Sequence, residues 1–295
     1  MGKRSFTELA FSSHGPCSDH TGAIGKQAPL HVPRFMGAAL VSLVLLIGCA
    51  DPTPVPHRDG NVPRRYADEA RRIDADPVNY LRELAERCRT LEQYRLTFHR
   101  QERLGAIGAL QPMEHIIALY RREPHSVSFQ WKDPQAPYCQ AVYVEGRYND
   151  KMLIRERKGV LFMPPQDRML DVEDVVELGR SRQPITAFGL EQLIDRTLAP
   201  FDDPELAKVM TISYKGVVHL EPTGRPAHHL HITRPPLPGV EYTQQDFYVD
   251  ADTGWPAGTE LWLENGQLDA RYLYSDIDTE VSLADWDFEL GPCPS

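Results

Sequence analysis

No GxSxG elbow, HExxH pair, phosphate-binding glycine loop or dinucleotide fingerprint occurs anywhere in this chain of 295 residues, which removes the enzyme classes that a sequence announces by motif. Positive charge is also short. Setting aside residues 1–48 removes Lys3, Arg4, Lys26 and Arg34 with Glu8 and Asp19, and leaves 28 basic residues against 40 acidic ones, a balance of −12. Nucleic-acid binding draws on clustered Lys and Arg, so a DNA or RNA partner is excluded. Cysteine is sparse. Past Cys49 only Cys88, Cys139 and Cys293 follow, without metal-type CxxC spacing, so at most one internal disulfide forms and its pairing stays open. Cys88 lies on the apolar face of an expected helix, where a buried, inert thiol is the plain reading.

Long apolar runs are missing as well. The one that stands out goes from Met36 to Ile47, far below the roughly 20 residues of a membrane-spanning helix but suited to a signal-peptide core. It closes on Leu46, Ile47, Gly48 and Cys49, the pattern of a bacterial lipoprotein cleavage and acylation site. Cys49 is therefore the expected lipid attachment point, and it implies export and anchoring on the periplasmic side of the envelope. Asp51, two residues on, resembles an inner-membrane retention signal. Residues 1–35 are polar and aperiodic, which suggests a start later than Met1, at Val32.

From Cys49 to Asp76 the chain is rich in proline and charge, with Pro52, Pro54, Pro56 and Pro63, and is expected as a flexible tether. Asp76 and Pro77 form a helix-start signal, and Val78, Leu81, Leu84, Cys88 and Leu91 recur at helical spacing, so a helix is expected over 77–91. The period then changes to two. Strands are expected around Tyr94–Phe98, Ile117–Leu119, Val127–Trp131, Val142–Val144, Lys151–Glu156 and Val160–Met163, and again at Val209–Tyr214, Val217–Leu220, Ala227–Thr233, Asp246–Val249, Gly258–Leu263 and Leu268–Tyr274. A second amphipathic helix with Leu190, Leu193, Ile194 and Leu198 interrupts them. The expected fold is α+β: one domain over 77–290, a strongly curved antiparallel half-barrel with a few helices on its concave face, and a tail at 291–295.

Tyr94 through Arg103 (YRLTFHRQER), Val142 through Gly146 (VYVEG), Ser181 through Gly189 (SRQPITAFG) and the stretch from Tyr248 to Phe288 resemble the bacterial domain of unknown function 1571 family. The resemblance singles out Glu102, Glu145, Gly146, Arg182, Pro184, Gly189 and Asp250 as motif positions without assigned roles. The hairpin beginning at Phe247 is similar to the periplasmic lipoprotein-carrier fold of LolA and LolB, which implies a curved sheet holding acyl chains beneath helical lids.

Candidate chemistry is thin. His229 and His231 share one strand face with His228 opposite, but two imidazoles fall short of a metal site and a solvated polar face is expected. Glu102 and Glu145 could act as an acid–base pair; salt bridges to Arg103, Arg147 or Arg182 are the simpler expectation. Asp250 and Asp252 near Gly254 lack calcium-loop spacing and read as a hairpin turn. Trp131, Trp255, Trp262 and Trp286 either pack a core or line a lipid cavity. No catalytic residue, metal or cofactor is assigned. The expected function is non-catalytic binding of an apolar ligand such as a lipid or acyl chain, with a structural envelope protein as the alternative.

Overall fold

In the computed structural model the described residues are 62–104, 108–157, 166–177, 181–237 and 240–293; the leader, Cys49 and the strand expected over Val160–Met163 lie outside them. Asp76 accepts a hydrogen bond from the Asn79 N–H at 3.0 Å, and Pro77 opens helix α2 (Pro77–Arg89). This is the expected N-cap acid followed by an N1 proline. Ahead of it stands a helix the sequence pattern did not suggest, α1 (Ala67–Ala75). The expected tether therefore does not reach residue 76. Tyr66, Ala70 and Ile73 make a short apolar stripe amid charged neighbours, and all three are buried. Tyr66 also donates to Asp252 at 2.6 Å, which ties this helix to a distant hairpin.

Strands β1 (Gln93–Leu104), β2 (Ala109–Leu110), β3 (Glu114–Arg121), β4 (Ser126–Trp131), β5 (Tyr138–Val144), β6 (Met152–Glu156) and β7 (Asp167–Leu170) form one meander. After a single helical turn and α3 (Leu190–Asp202) come β8 (Thr211–Leu220), β9 (Arg225–Thr233), β10 (Tyr242–Asp250), β11 (Pro256–Leu263) and β12 (Leu268–Asp278). All pairings are antiparallel, and the meanders join where β1 pairs β12, so Phe98 lies opposite Tyr274. The sheet is open, ending at β7 and β8. Two expected strands, Val209–Tyr214 and Val217–Leu220, are one: β8 carries an irregularity between Tyr214 and Val217, where Gly216 takes φ +97°. A bulge at a positive-φ glycine changes the side-chain phase without ending the pairing.

Alternation gives the sheet an inner and an outer face. Tyr94, Leu96, Phe98, Ile116, Ala118, Tyr120, Phe129, Ala141, Leu230, Phe247 and Tyr274 point inward, into one core with Leu81, Leu84 and Cys88 of α2 and Leu193, Ile194 and Leu198 of α3. Burial of each large apolar side chain contributes about 1.5–3 kcal/mol. Cys88 is buried in this core, and burial pushes its thiol up to about 12.

The outer face is finished in two ways. Over β4 and β5 the chain's last segment forms a strap: Phe288, Leu283 and Leu290 pack on Leu119, Val142 and Val144. Cys139 and Cys293 form a disulfide, and the Gln140 amide bonds the Glu289 carbonyl at 2.9 Å and the Gly291 N–H at 2.7 Å. The disulfide thus holds the expected tail at Cys293. Over β9 to β12 a polar cluster, beside a small apolar one around Ala227, Tyr248 and Leu273, is buried by its own members. His229 and Asp246 are 6% and 5% exposed, which corrects the expectation of a solvated histidine face. That expectation treated a single strand and could not see the carboxylate on its neighbour.

Candidate functional site

Phe98, Phe129, Phe188, Leu193, Leu261 and Tyr274 wall a cavity of about 150 Å³ between the inner face, α3 and residues 181–188. A dry hollow of about 150 Å³ holds a benzene-sized group, whereas whole drug-sized ligands need about 300 Å³ or more. Thr197, Gln245 and Thr259 also line it, so the wall is aromatic on one part and polar on another. A recess of about 50 Å³ adjoins it through Phe129, Ser181 and Gln183, lined further by Trp131, Met152 and Ile154. An open groove of about 530 Å³ runs from Arg100 and Glu102 past Met113 and Pro137 to Tyr138. Arg100 borders all three.

The polar rim is cross-linked. Arg100 Nε donates to Glu114 at 2.6 Å and its guanidinium reaches the Ser181 hydroxyl at 3.2 Å, while Trp131 Nε1 donates to the other oxygen of Glu114 at 2.9 Å. Burial works against the charge on Arg100, but Glu114 and Glu102 outweigh it and raise its pKa. Glu102, 3% exposed, accepts from the Tyr272 hydroxyl at 2.6 Å and from the Arg182 N–H at 3.4 Å. Burial first, and then Glu102, raises the Tyr272 phenol well above its ordinary value. Arg182 pairs with Asp269, and Arg196 donates to the Ala187 carbonyl at 2.7 Å, which closes the segment over the cavity. Among the described residues the lining contains no histidine or cysteine. It presents an aromatic wall and a charged rim.

Gly189 sits at the start of α3 with φ +152°, and a Cβ there would stand 3.4 Å from Tyr94 Oη and from the Tyr120 ring. The Leu190 N–H donates to that same Tyr94 Oη at 2.9 Å, so β1 caps the helix that roofs the cavity. Glu102, Arg182 and Pro184 line the cavity, and Gly189 sets its roof. The other motif positions lie in hairpin turns. Glu145 accepts from the His125 N–H at 3.3 Å. Gly146 takes φ +73°, and Asp250 organises the β10–β11 turn, bonding the Asp252 and Thr253 N–H groups at 3.0 and 2.8 Å.

Glu102 lines the cavity and Glu145 sits in the turn after β5, so the two are not brought together as a catalytic pair. Arg182 pairs with Asp269, Arg147 with Asp285, and Arg103 donates to the Leu268 carbonyl at 2.7 Å. None of the four tryptophans lines the 150 Å³ cavity: Trp131 is core and borders the adjoining recess, Trp255 lies under Arg87, Trp262 faces outward to Asp246, and Trp286 is exposed. Sequence reasoning missed Arg100 and Tyr272. The signal was present for Arg100, a charged residue in phase with Tyr94, Leu96 and Phe98.

The family model described as "Protein of unknown function (DUF1571)" matches residues 91–291. No curated protein matches the chain. Among solved structures, the Pseudomonas aeruginosa MucA/MucB complex matches with 18% identity over 73% of this chain and 61% of that chain, at a TM-score of 0.42. The lipoprotein LppX of Mycobacterium tuberculosis matches with 12% identity over 71% of this chain and 100% of its own, at 0.39. A LolA superfamily protein of Nitrosomonas europaea matches with 10% identity over 72% and 96%, at 0.31. The chain spans less than two thirds of the MucB structures it matches.

Proposed function

The chain belongs to the DUF1571 family, and from that premise we propose that it is a lipid-anchored envelope protein that binds the apolar end of a ligand, an acyl chain, without catalysis. The observation that carries this reading is the cavity of about 150 Å³ with its aromatic wall, roofed by residues 181–188, the stretch that holds the Arg182 and Pro184 motif positions and ends at Gly189. The charged rim at Arg100, Glu102 and Arg182 suits a polar head left outside. Cys49 is the lipid attachment, and the domain works on the periplasmic side, at the inner membrane if Asp51 directs sorting.

Mass spectrometry of organic extracts from the purified chain is expected to find a stoichiometric acyl lipid beyond the one attached to Cys49. Ala187→Trp, at a half-buried position in the lining, fills the cavity and is expected to abolish that retention with the far-ultraviolet circular dichroism unchanged. Equal lipid in both proteins would sink the proposal. The second reading, an envelope protein that holds a protein partner, draws support from the open sheet edges at β7 and β8. Unpaired strand edges are ready templates for another chain. Its mark would be a stoichiometric crosslinked partner in cells and no extractable lipid.

A further inference from the structure

On the sheet face opposite the cavity, the geometry points to a divalent metal site formed by His229, His231 and Asp246, of the kind that takes Zn²⁺ or a neighbouring late first-row ion. His229 and His231 alternate onto the same side of β9, and the β9–β10 register sets Asp246 directly opposite His231. Asp246 Oδ1 lies 2.7 Å from His229 Nε2 and 2.7 Å from His231 Nδ1. The three candidate ligand atoms all lie within 4.8 Å of one another. Ions of this class bind nitrogen and oxygen at about 2.0–2.2 Å. Tetrahedral coordination therefore requires the nitrogen–oxygen gaps to widen to about 3.3 Å, a change that small rotations of the side chains supply.

The surroundings are those of a built site. Asp246 Oδ2 accepts from Trp262 Nε1 at 2.8 Å, which fixes the carboxylate and turns Oδ1 toward both imidazoles. Outer hydrogen bonds of this kind orient metal-ligating groups. The side chains of His229 and Asp246 are 7% and 8% exposed and that of His231 13%, so the cluster is walled on one side and reached past His231. Two imidazoles and one carboxylate suit Zn²⁺, Co²⁺, Ni²⁺ or Cu²⁺, not the oxygen-rich spheres of Ca²⁺ or Mg²⁺. Three protein ligands leave a position for water or an outside ligand, as in exchangeable rather than closed structural sites. The competing account is a metal-free clamp in which one carboxylate oxygen serves both imidazoles.

Equilibrium dialysis decides between them, with the tag-free, chelator-stripped full chain in detergent against Zn²⁺, and again against Co²⁺ with its visible absorption recorded. One ion per chain is expected. His231→Ala and Asp246→Asn should each weaken binding by more than about tenfold, and Trp262→Phe, which removes only the outer hydrogen bond, by about tenfold. Fewer than one ion per wild-type chain at saturating Zn²⁺, or ligand variants that bind as the wild type does, would overturn the site. Should a ligand variant fail to fold, the wild type and Trp262→Phe suffice. Zn²⁺ must raise the wild-type Tm in a concentration-dependent way, and no such rise means the clamp alone.

Discussion

The two halves of the outer face bury comparable positions by opposite chemistry. Over β4 and β5 the outer residues are apolar, Val142 and Val144 with Leu119 beside them, and they are covered by the strap carrying Phe288. Over β9 to β12 a small apolar cluster of Leu220, Ala227, Ala257 and Leu273 sits beside a polar one, His229, Asp246, Tyr248, Glu260, Trp262 and Arg271, whose members satisfy one another: Tyr248 donates to Glu260 at 3.0 Å, and Arg271 Nε to its other oxygen at 2.5 Å. An apolar patch needs an outside cover, and that cover must be pinned. A hydrogen-bonded polar layer is its own cover, at the condition that no partner is missing.

The largest effect should come from unpinning the strap. The disulfide joins Cys139 to a residue 154 positions on, and loop-closure entropy for such a bridge is worth up to about 5 kcal/mol. Replacing both cysteines by serine is expected to lower the urea midpoint accordingly and to raise binding of a hydrophobic dye as Leu119, Val142 and Val144 come uncovered. An unchanged midpoint would mean that packing alone holds the strap. Phe288→Ala tests that packing. Its side chain is fully buried and lies under the Arg121 guanidinium, 4.6 Å from the ring centroid. The expected loss is about 3 kcal/mol, the low end for such truncations, because a strap closes on a void more readily than a sheet does.

Legibility divides along the same line. Asp76–Pro77 and the period-two runs announce α2 and most strands locally, and the apolar alternation of Tyr94, Leu96 and Phe98 announces which side of β1 is inside. Long-range pairing leaves no such mark. Arg182 reaches Glu102 across 80 residues from the segment ahead of α3, and Tyr272 reaches it across 170 through the pairing of β1 with β12. Asp246 becomes the partner of His229 and His231 only once β9 and β10 adopt their register. α1 escaped notice because three apolar residues in a charged stretch give little periodic signal.

On the polar half, Glu260→Leu adds apolar surface yet is expected to destabilise by about 2 kcal/mol, because it strips the acceptor from both Tyr248 and Arg271. Thermal or urea unfolding would measure it. A neutral or stabilising result would erase the distinction between the two halves, since it would show that this layer too tolerates being apolar.

The smallest effect is a pH dependence at the end of that layer. Burial opposes ionisation of Asp250, but Arg225 and the Thr253 N–H and hydroxyl outweigh it and hold the carboxyl below its ordinary value. A depressed carboxylate stabilises the fold fully above its unfolded pKa of about 4, and that contribution is lost as the pH falls through the lower folded value. Urea midpoints taken from pH 6 downward should therefore decline below about pH 4. Asp250→Asn should lower the curve at pH 6 and flatten its acid limb, since asparagine keeps an acceptor for the turn but has no charge for Arg225. Phe288→Ala, which removes no titrating group, should shift the whole curve down in parallel. If the two variants gave the same shape, Asp250 would be acting in the turn by geometry alone, and the charge on the polar half would count for nothing in its stability.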